Sequence, residues 1–321
     1  MTERVETRPL EDELDQERLA GPAARDRGRP EPSVAVGLLR SLRPRQWAKN
    51  VLVAAAPAAA GVLTEADVLL DVALGIVAFC LVSSATYLLN DVRDVESDRL
   101  HPDKRHRPIA AGAVPPGAAV ALAVVLLLAG LAVALAVNLG FLGIVALYLA
   151  MTSAYTLWLK HVAVVDIVTI ASGFILRACA GGVAAGVPLS RWFVIVATFG
   201  SLFVVSGKRH GEHIDLGAEG HEVRPTLGAY SRSYLQYVWT VTSGITLTAY
   251  CLWAFEQSGT ETELPLFELS ILPFLTFMLR YAMLLDQGRG GAPEDLVLGD
   301  RALLVLGALW AIVFGLAVQF R

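Results

Sequence analysis

Nine apolar stretches, most of them long enough to cross a bilayer, follow one another through the sequence at roughly 47–62, 67–90, 117–137, 139–158, 162–186, 191–206, 233–255, 265–285 and 301–320. A hydrocarbon core takes about 20 residues of helix. At 321 residues the chain is as long as about two soluble domains, but 55% of it is apolar and only 17% charged, which argues against that organisation. The predicted class is an all-α integral membrane protein with nine transmembrane helices. The first stretch is the shortest in pure apolar length, because Lys49 and Asn50 sit at its start and Pro57 in its middle. Pro115 and Pro116 suit the start of the third helix, where a missing N–H costs nothing.

Residues 1–33 mix both charges with Gly and Pro and hold few large apolar side chains, so they are expected to form a disordered cytoplasmic tail ahead of a membrane domain over 34–321. No apolar segment opens the chain, so no cleaved secretory signal is expected. The net charge of −4 hides a segregated pattern. The connections after helices 2, 4, 6 and 8 carry twelve basic residues: Arg93, Arg99, Lys104, Arg105, Arg107, Lys160, Lys208, Arg209, Arg224, Arg232, Arg289 and Arg301. The opposite connections hold only Arg191. By the positive-inside bias the N-terminus lies in the cytoplasm and Arg321 outside, in a multi-pass plasma-membrane protein. Three cysteines, Cys80, Cys179 and Cys251, lie singly in apolar runs, which excludes a disulfide framework or a zinc site.

Chemistry-bearing residues collect at the cytoplasmic ends of the helices. In Asn90-Asp91-Val-Arg93-Asp94-Val-Glu96-Ser-Asp98, a helix continuing to Asp98 would put Asn90, Asp94 and Asp98 on one face with Asp91 beside them. Carboxylates repel one another and oppose the partial negative charge of a helix C-terminus, so a cation must compensate. Hard oxygen donors of this kind suit Mg²⁺ bridging carboxylates to substrate phosphates. The alternative is a solvated network in which Arg93, Arg99 and Lys104 neutralise the acids. Lys104, Arg105 and Arg107 could face phosphates or anionic headgroups.

A second group runs from Tyr155 through Lys160 to Asp166, whose carboxylate at the start of a membrane helix needs a wet cavity or a partner such as Lys160. Arg177, about halfway along that helix, needs anionic company from a phosphate or a helix 2 carboxylate, or else serves as an interhelical clamp. The third group is Ser206-Gly207-Lys208-Arg209-His210-Gly211-Glu212-His213. Lys208, Arg209 and Glu212 within about one turn suit a phosphorylated sugar better than a bare metal. His210 and His213 lack zinc-site spacing and read as solvated loop residues, and the Gly207-Lys208 pair is not a P-loop.

The nine-helix plan and the acidic run at 90–98 resemble the UbiA superfamily of intramembrane prenyltransferases. That resemblance implies a helical bundle with a cytoplasm-facing cavity in which Mg²⁺ holds a diphosphate. Three segments look more narrowly like the actinobacterial phosphoribosyltransferase branch of that superfamily: Arg43-Pro-Arg-Gln-Trp47-Ala-Lys49-Asn50, His101-Pro-Asp-Lys104-Arg-His-Arg107-Pro108-Ile and Gly207-Lys208-Arg209. Ordinary members carry a second DxxxD motif at the end of helix 6, where this chain has Gly-Lys-Arg-His-Gly-Glu. Two cations and one carboxylate in that place argue for a diphosphate substrate bearing a further phosphate.

The resemblance implies transfer of 5-phosphoribose from phosphoribosyl pyrophosphate (PRPP) to decaprenyl phosphate, on the route to cell-wall arabinan. It implies Asp91, Asp94 and Asp98 as catalytic residues, and these three with Asn90 as magnesium ligands. Lys49, Asn90, Lys104, Arg105, Arg107, Tyr155, Lys160, Asp166, Arg177, Lys208, Arg209 and Glu212 are then the expected substrate contacts. Membrane lipid is an expected partner, nucleic acid is not, and self-association is left open. A prenyltransferase with a small acceptor would share the acidic run and is disfavoured by the missing second motif. A transporter is the non-enzyme alternative; it is disfavoured because no inverted repeat is seen and the functional candidates cluster at one face of the membrane.

Overall fold

The computed structural model describes residues 33–101, 104–216, 225–257 and 265–320, and every regular element among them is helical. Of the tail expected over 1–33 only Ser33 is described, and Arg224 and Arg321 lie outside the described residues. In chain order the α-helices are α1 (Val34–Ser41), α2 (Ala55–Ala60), α3 (Ala66–Arg93), α4 (Val95–Leu100), α5 (Pro116–Val137), α6 (Leu139–Leu157) and α7 (Val165–Ala184). They continue as α8 (Arg191–Leu216), α9 (Arg232–Gln257), α10 (Leu266–Leu269), α11 (Ile271–Asp286), α12 (Pro293–Gly299) and α13 (Arg301–Gln319). A 3-10 helix, Pro44–Ala54, joins α1 to α2.

Eight helices among the described residues are long and apolar enough to cross a membrane: α3, α5, α6, α7, α8, α9, α10 with α11, and α13. Helices α5 and α13 bury little of themselves inside the bundle and expose Val124, Val125, Leu128, Val305 and Ile312. Contiguous apolar faces of this kind need a lipid solvent, and the chain is a multi-pass membrane protein. The expected proline start is observed, with Pro116 at the first turn of α5. Asn138 caps α6 by accepting the Phe141 N–H at 2.8 Å, while its amide donates to the Val183 carbonyl at 3.1 Å and ties α6 to α7.

Helix α3 is the axis of the first half. Phe79 is fully buried on it and meets Phe141 and Tyr148 of α6 edge-on, with ring centres 5.8 and 5.5 Å apart.

The stretch 47–62, expected as a helix, is instead the 3-10 helix Pro44–Ala54 followed by the six-residue α2. Proline explains the break, because Pro57 has no N–H to donate to the carbonyl of Val53. That carbonyl is also where α7 packs closest: a Cβ on Gly181 would fall 1.7 Å from the Val53 oxygen. The segment is bolted to α3 by Trp47 Nε1 to Ser84 Oγ at 3.0 Å and Asn50 Nδ2 to Cys80 Sγ at 3.1 Å. It enters at Arg43, beside Asp91 at the C-terminal end of α3, and leaves at Gly61, packed against Val318 at the C-terminal end of α13.

Candidate active site

Helix α3 ends at Arg93, Asp94 takes φ −92° and ψ 11°, and α4 begins at Val95. The continuous helix expected to Asp98 is therefore interrupted at its middle aspartate, where accumulating carboxylates oppose the helix dipole. One face survives the break. Arg107 Nη1 bridges Asp91 Oδ1 at 3.1 Å and Asp98 Oδ2 at 2.7 Å, and Arg43 Nη2 lies 2.6 Å from Asp91 Oδ1. Both aspartates are buried. Arg93 is exposed, Arg99 donates to the Ala110 carbonyl, and Arg105 is exposed with its Nε turned to His106. Lys104 donates its backbone N–H to His101 Nδ1 at 3.3 Å.

Among the described residues no three His, Cys, Asp or Glu side chains converge as a ready-made metal cage. The donor set nevertheless fits magnesium, which binds one or two carboxylates and completes its shell with water and phosphate oxygens. Asn90 and Asp94 are half-buried and have no side-chain partner among the described residues. With the second oxygens of Asp91 and Asp98, they are the groups that would hold the ion.

Asp166 is completely buried, and its partner is Arg209 rather than the expected Lys160. Arg209 Nε lies 3.1 Å from Asp166 Oδ2, Nη1 lies 2.6 Å from Glu212 Oε2, and Nη2 lies 3.4 Å from the Tyr155 hydroxyl. Among the described residues the other donors to Asp166 are the hydroxyls of Tyr230 and of Thr226, the latter at 3.4 Å. Burial and the hydrogen bond with Asp166 push the Tyr230 phenol well above its ordinary pKa. Lys160 sits in the 3-10 turn Leu159–His161 and makes no side-chain ion pair among the described residues.

This network corrects two expectations. Arg209 is sealed inside the fold between two carboxylates, and His210 is a fully buried helix residue rather than a solvated loop one. The apolar run stops near residue 206, yet α8 continues to Leu216, because the charge of Arg209 is neutralised internally.

Arg177 is buried with neutral company: Nε to Asn50 Oδ1 at 2.7 Å, Nη1 to the Gly173 carbonyl at 2.8 Å and Nη2 to the Tyr148 hydroxyl at 2.9 Å. Its guanidinium also lies 4.6 Å from the centre of the Tyr148 ring. No carboxylate from helix α3 reaches it. The alternative read from the sequence, a clamp between segments, is the arrangement observed, joining the 3-10 segment, α6 and α7.

The basic end of α8 meets the 3-10 segment and α12. Lys208 Nζ lies 3.9 Å from Glu212 Oε1. Lys49 Nζ lies 3.5 Å from Glu294 Oε1, which also accepts Gln46 Nε2 at 2.6 Å. Burial alone would raise the pKa of Glu294. Lys49, backbone and Gln46 hydrogen bonds, and the field of Lys208 outweigh it and hold the carboxyl below the usual range.

The model of the UbiA prenyltransferase family matches residues 51–298. The chain belongs to that family. It is a transferase, as UbiA members are. A decaprenyl-phosphate phosphoribosyltransferase of Corynebacterium glutamicum is 44% identical over 300 residues, covering 90% of this chain and 89% of that protein. The protein of the same name from Mycobacterium tuberculosis is 45% identical over 295 residues, covering 91% and 97%. A UbiA homologue from Archaeoglobus fulgidus, solved bound to GPP and Mg²⁺, shares the fold with a TM-score of 0.66 at 19% identity, covering 89% of this chain and all of that one.

Within this UbiA chain, the glycines of the Gly-Lys-Arg-His-Gly-Glu segment have a packing role. A Cβ on Gly207 would meet Leu285 at 2.4 Å, and one on Gly211 would meet the Gly291 nitrogen at 2.5 Å, so the turn at 289–291 lies flush on α8. Sequence reasoning missed Gln46, Thr226, Tyr230 and Glu294, and left Arg43 without a role. Arg43 and Gln46 both stand within the Arg43–Asn50 motif. Glu294 had no local signal, being 245 residues from the lysine it pairs with.

Proposed function

We propose that the chain transfers 5-phosphoribose from PRPP to decaprenyl phosphate, releasing pyrophosphate and giving decaprenylphosphoryl-5-phosphoribose for cell-wall arabinan. What carries the reading is likeness to decaprenyl-phosphate phosphoribosyltransferases over nine tenths of the chain. Two charged clusters support it, the aspartates with Arg43 and Arg107 and the lysines Lys49 and Lys208 with Glu294 and Glu212, since PRPP carries a pyrophosphate and a second phosphate. Magnesium, when bound, would neutralise the departing pyrophosphate.

The chain's own residues supply the rest. Asn90, Asp91, Asp94 and Asp98 would hold the ion. Arg43 and Arg107, already gathered at the aspartates, meet the phosphate oxygens with directed N–H donors as charge develops on the leaving group. Lys49 and Lys208 take the 5-phosphate and fix the sugar, so that catalysis is mostly positioning and electrostatics. Arg209 and Asp166 brace Glu212 and the end of α8. The acceptor phosphate is anionic near neutral pH, so no general base is needed.

The same reading fixes the topology. At about 2.0 Å per residue in the 3-10 stretch and about 1.5 Å in α2, Pro44–Ala60 rises about 31 Å, against about 30 Å of hydrocarbon. It serves as a ninth crossing, which puts the N-terminus and the charged site on the cytoplasmic side and Arg321 outside. Water-borne PRPP then reaches the site while the acceptor's chain stays in lipid.

The test is to incubate purified protein with Mg²⁺, labelled PRPP and decaprenyl phosphate, and to follow label into the organic phase. Transfer is expected. A protein that ignores PRPP but joins a prenyl diphosphate to an aromatic acid in a parallel reaction is instead an ordinary prenyltransferase.

A further inference from the structure

Glu294 opens α12 with only 13% of its side chain exposed. One carboxylate oxygen, Oε1, is taken by Gln46 and Lys49. The other, Oε2, is buried with no hydrogen-bond partner among the described residues. An ionised oxygen cut off from water and from donors is unfavourable, and buried groups left this way are a mark of a missing ligand or water.

The position of Glu294 says which ligand. On one side is Arg43, which opens the 3-10 segment that supplies Gln46 and Lys49 to Glu294 and whose guanidinium lies 4.8 Å from the ring centre of Tyr87, a turn before Asp91 on α3. Arg43 is itself on Asp91. On the other side is Lys208, which stands on α8 between Gly207 and Gly211, the two glycines against which the turn leading into α12 is packed. Glu294 is therefore tied to the segment that reaches Asp91 and sits on the helix that follows the turn packed beside Lys208.

The chemistry narrows the ligand further. Phosphate oxygens repel a carboxylate, and at neutral pH the donors that PRPP offers are the vicinal 2- and 3-hydroxyls of its ring. A polyprenyl phosphate and a prenyl diphosphate offer none. With the pyrophosphate at the aspartates and the 5-phosphate at the lysines, the ring between them faces Glu294.

We infer that Glu294 is a specificity-determining residue whose free Oε2 accepts a hydrogen bond from the vicinal diol of the phosphoribosyl donor. The inference rests on the reaction proposed above. It explains how the site would reject a prenyl diphosphate, which leaves Oε2 buried and unpaired, and a deoxyribosyl donor for the same reason.

The experiment compares PRPP with its 2-deoxy and 3-deoxy analogues on the wild-type protein and on Glu294→Gln. For the wild type, at least one analogue is expected to lose about 10- to 100-fold in kcat/KM, the range of a hydrogen bond to a charged acceptor. Glu294→Gln should lower kcat/KM for PRPP by a similar factor and leave that analogue nearly unchanged. Equal use of all three donors by the wild type overturns the inference, and that comparison needs no variant to fold. An equal loss on all three in Glu294→Gln also overturns it, since the carboxylate would then act only by holding Lys49. Absence of any transfer from PRPP overturns the reaction itself, and this inference with it. That outcome differs visibly from transfer without discrimination.

Discussion

Replacing Arg209 by Met tests whether a cation at the end of α8 serves the substrate or the fold. The ion pair is sealed, with the Arg209 side chain 1% exposed and that of Asp166 0%. Removing the guanidinium strands an ionised carboxylate whose remaining donors are the hydroxyls of Tyr230 and Thr226. Deleting one partner of a buried pair costs about 3–5 kcal/mol. Glu212 also loses its contact, but it is 21% exposed and has Lys208 3.9 Å away, so water and the lysine replace most of it.

The stranded charge therefore dominates the loss, and Asp166→Asn in the same chain should restore about 1–3 kcal/mol of it, as coupled neighbours do. The assay is equilibrium unfolding in mixed micelles for the wild type, both single variants and the double variant, with KM for PRPP measured on each. If Arg209→Met loses less than about 1 kcal/mol, against the cost expected of a broken buried pair, and raises KM for PRPP, Arg209 binds substrate and the assignment is wrong.

Asp94→Asn should abolish turnover and leave the unfolding transition in place, because Asp94 has no side-chain partner to lose among the described residues; Mg²⁺-dependent activity near the wild-type level would refute a metal role. Gly181→Val puts a Cβ 1.7 Å from the Val53 oxygen, a backbone atom that cannot rotate away. Overpacking of this kind costs about 1–3 kcal/mol, read as a lower unfolding midpoint in detergent, and an unchanged midpoint would contradict the packing. Asp300 is held below the usual carboxylate range by the Arg280 hydrogen bond and by the Leu303 N–H it caps. Its contribution is fully present above the unfolded value of about 3.9 and is lost as pH falls through the lower folded value. Asp300→Asn should therefore flatten the acid limb of the stability profile below about pH 4 and have no effect on the slope near neutrality.

Several expectations read from the residues match the structure closely. Eight of nine apolar stretches are helices of spanning length, and the start of α5 at Pro116 is where the proline pair put it. The exception, 47–62, is instructive: apolar content was read correctly, but Pro57 and the close approach of Gly181 to Val53 select a 3-10 segment in place of a helix. The acidic run and the basic end of α8 were legible as chemistry. Their partners were not. Lys160 was the nearest cation in sequence to Asp166, yet the pairing goes to Arg209, which a local reading had assigned to a phosphate.

Hydropathy and charge are properties each residue carries by itself, so the run of the chain already determined a lipid-embedded helical protein with its charges gathered at helix ends. Partner choice depends on which helices pack together. Arg43 and Arg107 on Asp91, Arg209 on Asp166, and Lys49 on Glu294 are separated by 48, 16, 43 and 245 residues. Inside a low-dielectric bundle a charge must be matched by whatever group the packing brings within reach, and only the tertiary structure decides which group that is.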